Sequence, residues 1–184
     1  MKLIYPVLML AGKRSASEKN DKNIKPAVSI YTLQSTLNTG EKISMEKYAG
    51  KKILIVNTAS DCGFTGQYDE LQKLQEQYAE KLVVIGFPAN DFKEQEKGND
   101  EDIALFCKTN YHISFSLAQK SSVKKGTNQN EIFEWLSNKE KNGWCHIAPR
   151  WNFCKYLIDE EGMLVGFYAS SVSPLNKEIV MYIE

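Results

Sequence analysis

Histidine is scarce: His112 and His146 are the only two in 184 residues. Neither they nor the four cysteines, Cys62, Cys107, Cys145 and Cys154, fall at paired ligand spacings, which argues against a zinc module. The same scarcity, with no recognisable nucleophile-base motif, leaves a hydrolase triad little to work with. Excess charge is also missing. Lys plus Arg and Asp plus Glu both number 23 and are scattered, so no surface for nucleic acid is legible. Four widely spaced cysteines are too few for a disulfide-stapled secreted module, which leaves thiol chemistry or plain burial.

No repeat or low-complexity tract follows residue 26, and the length suits one domain, assigned here to 27–184. Residues 1–26 stand apart as an apolar segment and a polar linker that reads as flexible. The apolar run LIYPVLMLAG at 3–12 is too short to span a bilayer, which takes about 20 residues. It fits a signal-peptide core, an interfacial anchor giving weak membrane association, or a segment packed on the domain.

Ile53–Val56 and Leu82–Phe87 are unbroken apolar runs, the pattern of parallel strands buried on both faces. Between them 67–81 carries Tyr68, Leu71, Leu74 and Tyr78 as one stripe, with Thr65 as candidate N-cap. The unit is a strand–helix–strand crossover. A second helix is expected from the Asn99-Asp100 cap to about Lys108, and a third over 131–137. Runs at 151–158 and 163–168 flank Asp159-Glu160-Glu161-Gly162 and read as a hairpin. Ser173-Pro174 reads as the start of a terminal helix with Ile179, Val180 and Ile183 inward. Together these predict an α/β fold, a mixed sheet flanked by helices.

Cys62 falls between the end of the first strand and the following helix, above the carboxyl edge of the sheet, where open α/β sheets react. Unpaired N–H groups at a helix start favour thiolate over thiol, and Gly63 and Gly66 leave the turn open. From position alone, a reactive thiol and a small buried hydrophobe fit equally well.

The flanking residues add to this. NTASDCGFTGQY at 57–68, GFPANDFKEQEKG at 86–98 and WNF at 151–153 resemble, in order, three blocks of the glutathione peroxidase family. The resemblance extends over most of 28–184 and implies a thioredoxin-like fold. It implies that Cys62 reduces hydrogen peroxide or organic hydroperoxides, with Gln95, Trp151 and Asn152 as hydrogen-bonding partners and no metal or other cofactor. Neutral N–H donors would hold the sulfur ionised without a cation. A regular strand would point Trp151 and Asn152 to opposite faces, so an irregular start to that strand is required if both serve one sulfur.

The resemblance also places Cys107 where the thioredoxin-dependent branch has its resolving cysteine; the reductant is then a thioredoxin-type protein or glutathione. Cys107 also lies on the apolar face of its helix, where a core role fits. Cys145, in KNGWCHIAP, reads as more exposed and able to substitute; Cys154 reads as structural. Lys93-Glu94 replaces a usual Gly-Gly, Ala89 a frequent cysteine, and Asp61 a lysine or glutamate. No insertion between 123 and 129 offers tetramer contacts, so a monomer or weak dimer is expected, in the cytoplasm or held at the cell envelope by 3–12. A peroxide sensor that passes oxidation to a partner protein is the alternative to an enzyme.

Overall fold

The computed structural model describes residues 16–184; the apolar run at 3–12, with its three readings, lies outside them. The central sheet is built on β4 (Lys52–Thr58) and β5 (Leu82–Pro88), paired in parallel with Ile53 opposite Val83 and Thr58 opposite Pro88. Every residue of β4 from Ile53 onward is buried. A strand covered on both faces needs this uninterrupted apolar run. Strands β7 (Lys155–Ile158) and β8 (Leu164–Tyr168) form the expected hairpin, β7 running antiparallel to β4. Gly162 closes its turn at φ 83, a left-handed conformation that glycine adopts without steric cost.

Short strands complete the edges: β1 (Ser17–Lys19) on β8 and β6 (Ser116–Leu117) on β5, giving the order β1-β8-β7-β4-β5-β6. Strands β2 (Gln34–Thr36) and β3 (Lys42–Ser44) pair separately. The polar stretch read as a flexible linker is therefore tied down in part. Ser17–Lys19 pairs with 166–168, and the buried Asn20 side chain bonds Ile24 and the Leu164 carbonyl.

Helix α1 (Gln67–Gln77) makes the crossover and buries Tyr68, Leu71 and Leu74 against β4 and β5, each leucine contributing about 1.5–3 kcal/mol. Its N-cap is Gly66, not Thr65. The Thr65 hydroxyl is engaged one turn earlier, accepting from the Cys62 N–H at 3.0 Å and facing the carbonyls of Ala59 and Cys62. Helix α2 (Asp100–Tyr111) starts at Asn99 in a capping box with Asp102 and stops at His112, in the left-handed region at φ 52. Helices α3 (Glu131–Leu136) and α4 (Lys139–Asn142) cover the other face.

The last helix, α5 (Lys177–Ile183), begins later than Ser173-Pro174 suggests. Asn176 is its cap, because the Ser173 hydroxyl closes a local turn to Leu175 N–H and also reaches Glu70. Ile179 and Ile183 are buried, with Val180 packed beside them. Alternation along β4 sends Leu54 and Val56 into the core with α1, α2 and α5, and Ile53 and Ile55 into the core with α3. Leaving aside the short edge strands and α3 and α4, the chain follows strand, helix, strand, helix, two antiparallel strands, helix. No helix among the described residues is long and apolar enough to cross a membrane.

Candidate active site

Cys62 sits in the turn that leaves β4 and enters α1, and is 3 % exposed. Three features fix that turn. The Thr65 side chain holds the Cys62 backbone, Ala89 N–H donates to the Thr58 carbonyl at 3.0 Å, and Asp61 N–H donates to the Gln95 carbonyl at 3.0 Å. The last of these binds the cysteine turn to the loop that follows β5.

The sulfur accepts from the Phe64 backbone N–H at 3.5 Å. The side chains of Trp151 and Asn152 lie close enough to favour its anion, without a hydrogen bond of ordinary geometry to it. Both reach one sulfur because 151–153 is a turn ahead of β7 rather than part of it, with Phe153 at φ 64. That conformation is uncommon outside glycine and costs roughly 1–3 kcal/mol unless its surroundings enforce it.

The enforcing group is Asn57, at the end of β4. Its Nδ2 donates to the Trp151 carbonyl at 3.0 Å, its Oδ1 accepts from Cys154 N–H at 3.0 Å, and its carbonyl accepts from Phe153 N–H at 2.6 Å. Sequence reasoning gave Asn57 no role. The available signal was an amide closing the apolar run ILIV, where a buried polar group must be paired.

Gln95 enters through Asn152, whose Nδ2 donates to Gln95 Oε1 at 3.1 Å. A carboxamide nitrogen carries two protons, so one can point to Gln95 and the other to sulfur. Gln95 therefore orients Asn152. The loop before it bends through Lys93 at φ 52 and Glu94 at φ 51, both left-handed, where the resemblance leads one to expect glycines. The Lys93 ammonium lies 5.7 Å from the Trp151 ring centroid, and Phe92 packs on the same indole at 5.8 Å.

The electrostatics reverse one expectation. Burial pushes the Cys62 thiol above its ordinary value; the Phe64 N–H and the Trp151 and Asn152 side chains pull it down, and Asp61 adds a small upward push. Desolvation disfavours the anion in this closed arrangement more than three neutral donors favour it.

The other thiols are also buried and free. Cys107 points inward from α2 and is pushed up to about 12 by burial, partly offset by the Tyr68 hydroxyl. It shares a core with Cys62. Cys145 is not the exposed thiol its loop suggests: it is wholly buried, in the core on the other side of the sheet, and pushed up to about 11. Asn142 draws it in, accepting from Cys145 N–H at 2.7 Å and donating to its carbonyl at 2.8 Å. Cys154 contacts the Trp151 carbonyl at 3.4 Å. Beside it Lys155 is fully buried, its ammonium donating to Gln67 Oε1 at 2.6 Å and to the Val172 carbonyl at 2.5 Å; desolvation lowers it to about 7.

Known proteins resemble the chain as a whole. The family model described as glutathione peroxidase matches residues 30–137, more than half of the chain. A glutathione peroxidase homolog BsaA of Staphylococcus epidermidis is 42 % identical over 147 residues, covering 79 % of this chain and 92 % of its own. The glutathione peroxidase-like peroxiredoxin 2 of Saccharomyces cerevisiae is 38 % identical over 154 residues, covering 82 % and 94 %. Among solved structures, Trgpx in its apo form superposes with a TM-score of 0.64 at 30 % identity, covering 85 % of this chain and 97 % of that one. With the order of strands and helices described above, these similarities establish that the chain belongs to the glutathione peroxidase family, oxidoreductases on a thioredoxin-like fold.

Proposed function

We propose that this protein is a thiol peroxidase whose nucleophile is Cys62. The carrying observation is a buried sulfur in the turn after β4 that accepts from the Phe64 N–H, with the Trp151 and Asn152 side chains beside it favouring its anion. Burial favours the thiol in the closed arrangement, so the ionised fraction of Cys62 reacts: its lone pair attacks one peroxide oxygen, the S–O bond forms, and the O–O pair leaves as hydroxide or alkoxide, which takes up a proton. Negative charge moves from sulfur to the departing oxygen, so donors aimed at the sulfur stand where that charge passes. Cys62 becomes a sulfenic acid, which condenses with a second thiol and releases water.

Cys107 is the proposed second thiol. It shares the Cys62 core, whereas Cys145 lies in the other one. A disulfide requires Cα atoms within about 7 Å, so a cysteine held inside α2 can pair only if that helix opens locally. A thioredoxin-type dithiol or glutathione then reduces the bond by exchange. Cytoplasmic residence as a monomer or weak dimer is in keeping with four free thiols. Weak membrane association through residues 3–12 would appear as co-sedimentation of the full chain with lipid vesicles and its loss in a chain starting at residue 16.

The test is a coupled assay with NADPH, thioredoxin, thioredoxin reductase and hydrogen peroxide. Steady NADPH consumption is expected, and its abolition in Cys62→Ser. Turnover by the serine variant would refute the assignment. A stable mixed disulfide with a client protein in place of turnover would favour a sensor.

A further inference from the structure

Among the described residues, the buried side-chain N and O atoms without a hydrogen-bond partner fall in one neighbourhood: Thr58 Oγ1, Ser60 Oγ, Tyr68 Oη, Glu96 Oε2 and Asn152 Oδ1. Orphaned polar atoms are uncommon in native interiors, and several together call for an explanation. Asn152 belongs to the shell of Cys62. The other four connect the Cys62 turn with Cys107. The Tyr68 hydroxyl faces Thr58 on one side and Cys107 on the other, without a hydrogen bond of ordinary geometry to either. Ser60 turns towards the Glu96 carboxyl, whose charge is felt at both Cys107 and Tyr68.

Glu96 is 1 % exposed, and its backbone is pinned by the Asn90 side chain at 2.9 Å. It borders a cavity of about 380 Å³ that separates the cysteine turn (Ser60, Asp61) from helix α2 (Ile103, Phe106). Cys107 lies on that same helix. A buried carboxyl group with one unpartnered oxygen thus borders the cysteine turn and acts electrostatically on Cys107.

We propose that Glu96 is the proton acceptor for the resolving thiol: as Cys107 attacks the oxidised Cys62, the Glu96 carboxylate takes the Cys107 proton. The inference rests on the reading of Cys62 and Cys107 given above. In the step, the Cys107 sulfur pair forms the S–S bond and the Cys62 S–O bond breaks with its pair going to oxygen. Hydroxide leaves, and the proton held by Glu96 neutralises it to water through the cavity. No external oxidant or reductant enters.

Two facts make an acceptor necessary and this one suitable. Cys107, pushed up to about 12, does not ionise unaided near neutrality. Glu96, raised to about 7 by burial against the pull of Ser60 and Lys120, is poised near neutral pH, where a general base is most effective. The charged groups around it are Asp61 on the cysteine turn, Glu94 and Lys97 on the Gln95 loop, Asp102 on α2, and Lys120. The Lys120 ammonium donates to the carbonyls of Glu96 at 3.5 Å, Lys97 at 3.4 Å, and Gly98.

The test follows disulfide formation in the full chain after one equivalent of hydrogen peroxide, by rapid alkylation quench and mass mapping, from pH 5 to 9. Wild type is expected to form the Cys62–Cys107 bond at a rate that rises with an inflection near pH 7. Glu96→Gln should slow this step by roughly 100-fold at pH 8 and flatten the inflection, a loss typical of a missing general base; Glu96→Asp should restore part of both. A Gln variant with the wild-type rate and profile overturns the role of Glu96, as does an equal loss at every pH that Asp does not repair. A flat wild-type profile overturns it without any variant. Wild type that forms no Cys62–Cys107 disulfide overturns the pairing and this inference together.

Discussion

Two cysteine pairs lie in the two cores of this molecule: Cys62 and Cys107 on the α1–α2 side of the sheet, Cys145 and Cys154 on the α3 side. All four are buried and free, so burial does not distinguish them. Their polar surroundings do. On the α3 side Asn142 donates to the carbonyls of Trp135, Leu136 and Cys145 and accepts from the N–H groups of Trp144 and Cys145. Around Cys62 and Cys107 five polar atoms have no partner. One side is fully paired around Asn142, while the other keeps donors and acceptors without a partner of ordinary geometry. The difference teaches that the two proposed reactive thiols are set apart by incomplete pairing near the sulfur rather than by exposure.

The sharpest way to break this comparison is to remove one thiol from each side. Cys62→Ser should lower peroxide turnover by at least about 10³-fold, the scale of losing a covalent nucleophile. Cys145→Ala should retain turnover; comparable losses in the two, measured by NADPH consumption, would erase the distinction. Next in size is Cys107→Ser, expected to consume one equivalent of peroxide and then stall with thioredoxin. Continued cycling would remove Cys107 from the mechanism. Trp151→Phe keeps an aromatic ring but loses the indole N–H, and should slow the first oxidation by roughly ten- to a hundredfold in single-turnover stopped flow. An unaltered rate would mean that the indole only packs.

A smaller effect separates the two sides through pH. Glu96 titrates near 7 when folded and near 4.5 when unfolded, so between these values the folded chain binds the extra proton. Stability from this group is therefore complete below about 4.5 and falls as pH rises through 7. Glu96→Gln should raise the thermal midpoint more at pH 8 than at pH 5; an equal shift at both would contradict the assignment. The smallest expected change is at Glu94, left-handed at φ 51 with its side chain in solvent. Glu94→Gly should add roughly 0.5–1 kcal/mol in urea unfolding, because glycine adopts that conformation without the Cβ penalty.

Much of this was legible in sequence. The runs ILIV and LVVIGF give the parallel centre of the sheet, and the Asn99-Asp100 cap gives the start of α2, which the structure closes as a capping box with Asp102. The three blocks around Cys62, Gln95 and Trp151 give the residues of the candidate site, which the structure brings into one neighbourhood. What sequence does not carry is pairing over long separations. Asn57 bends residues 151–154 into the turn that brings Trp151 and Asn152 together, and Asn142 buries Cys145 in what reads as an open loop. Thr65 likewise looks like a helix cap until its hydroxyl is spent on the Cys62 turn. The sign of the Cys62 shift was illegible for the same reason: donors can be read from residue types, whereas desolvation depends on how the surrounding chain closes over the sulfur.

Trapping the first oxidation product tests the central claim most directly. A Cys107→Ser chain treated with one equivalent of hydrogen peroxide in the presence of a sulfenic-acid-specific nucleophile should carry a single adduct, mapped by mass spectrometry to Cys62. An adduct at Cys145 or Cys154, or none while peroxide is consumed, would contradict the account.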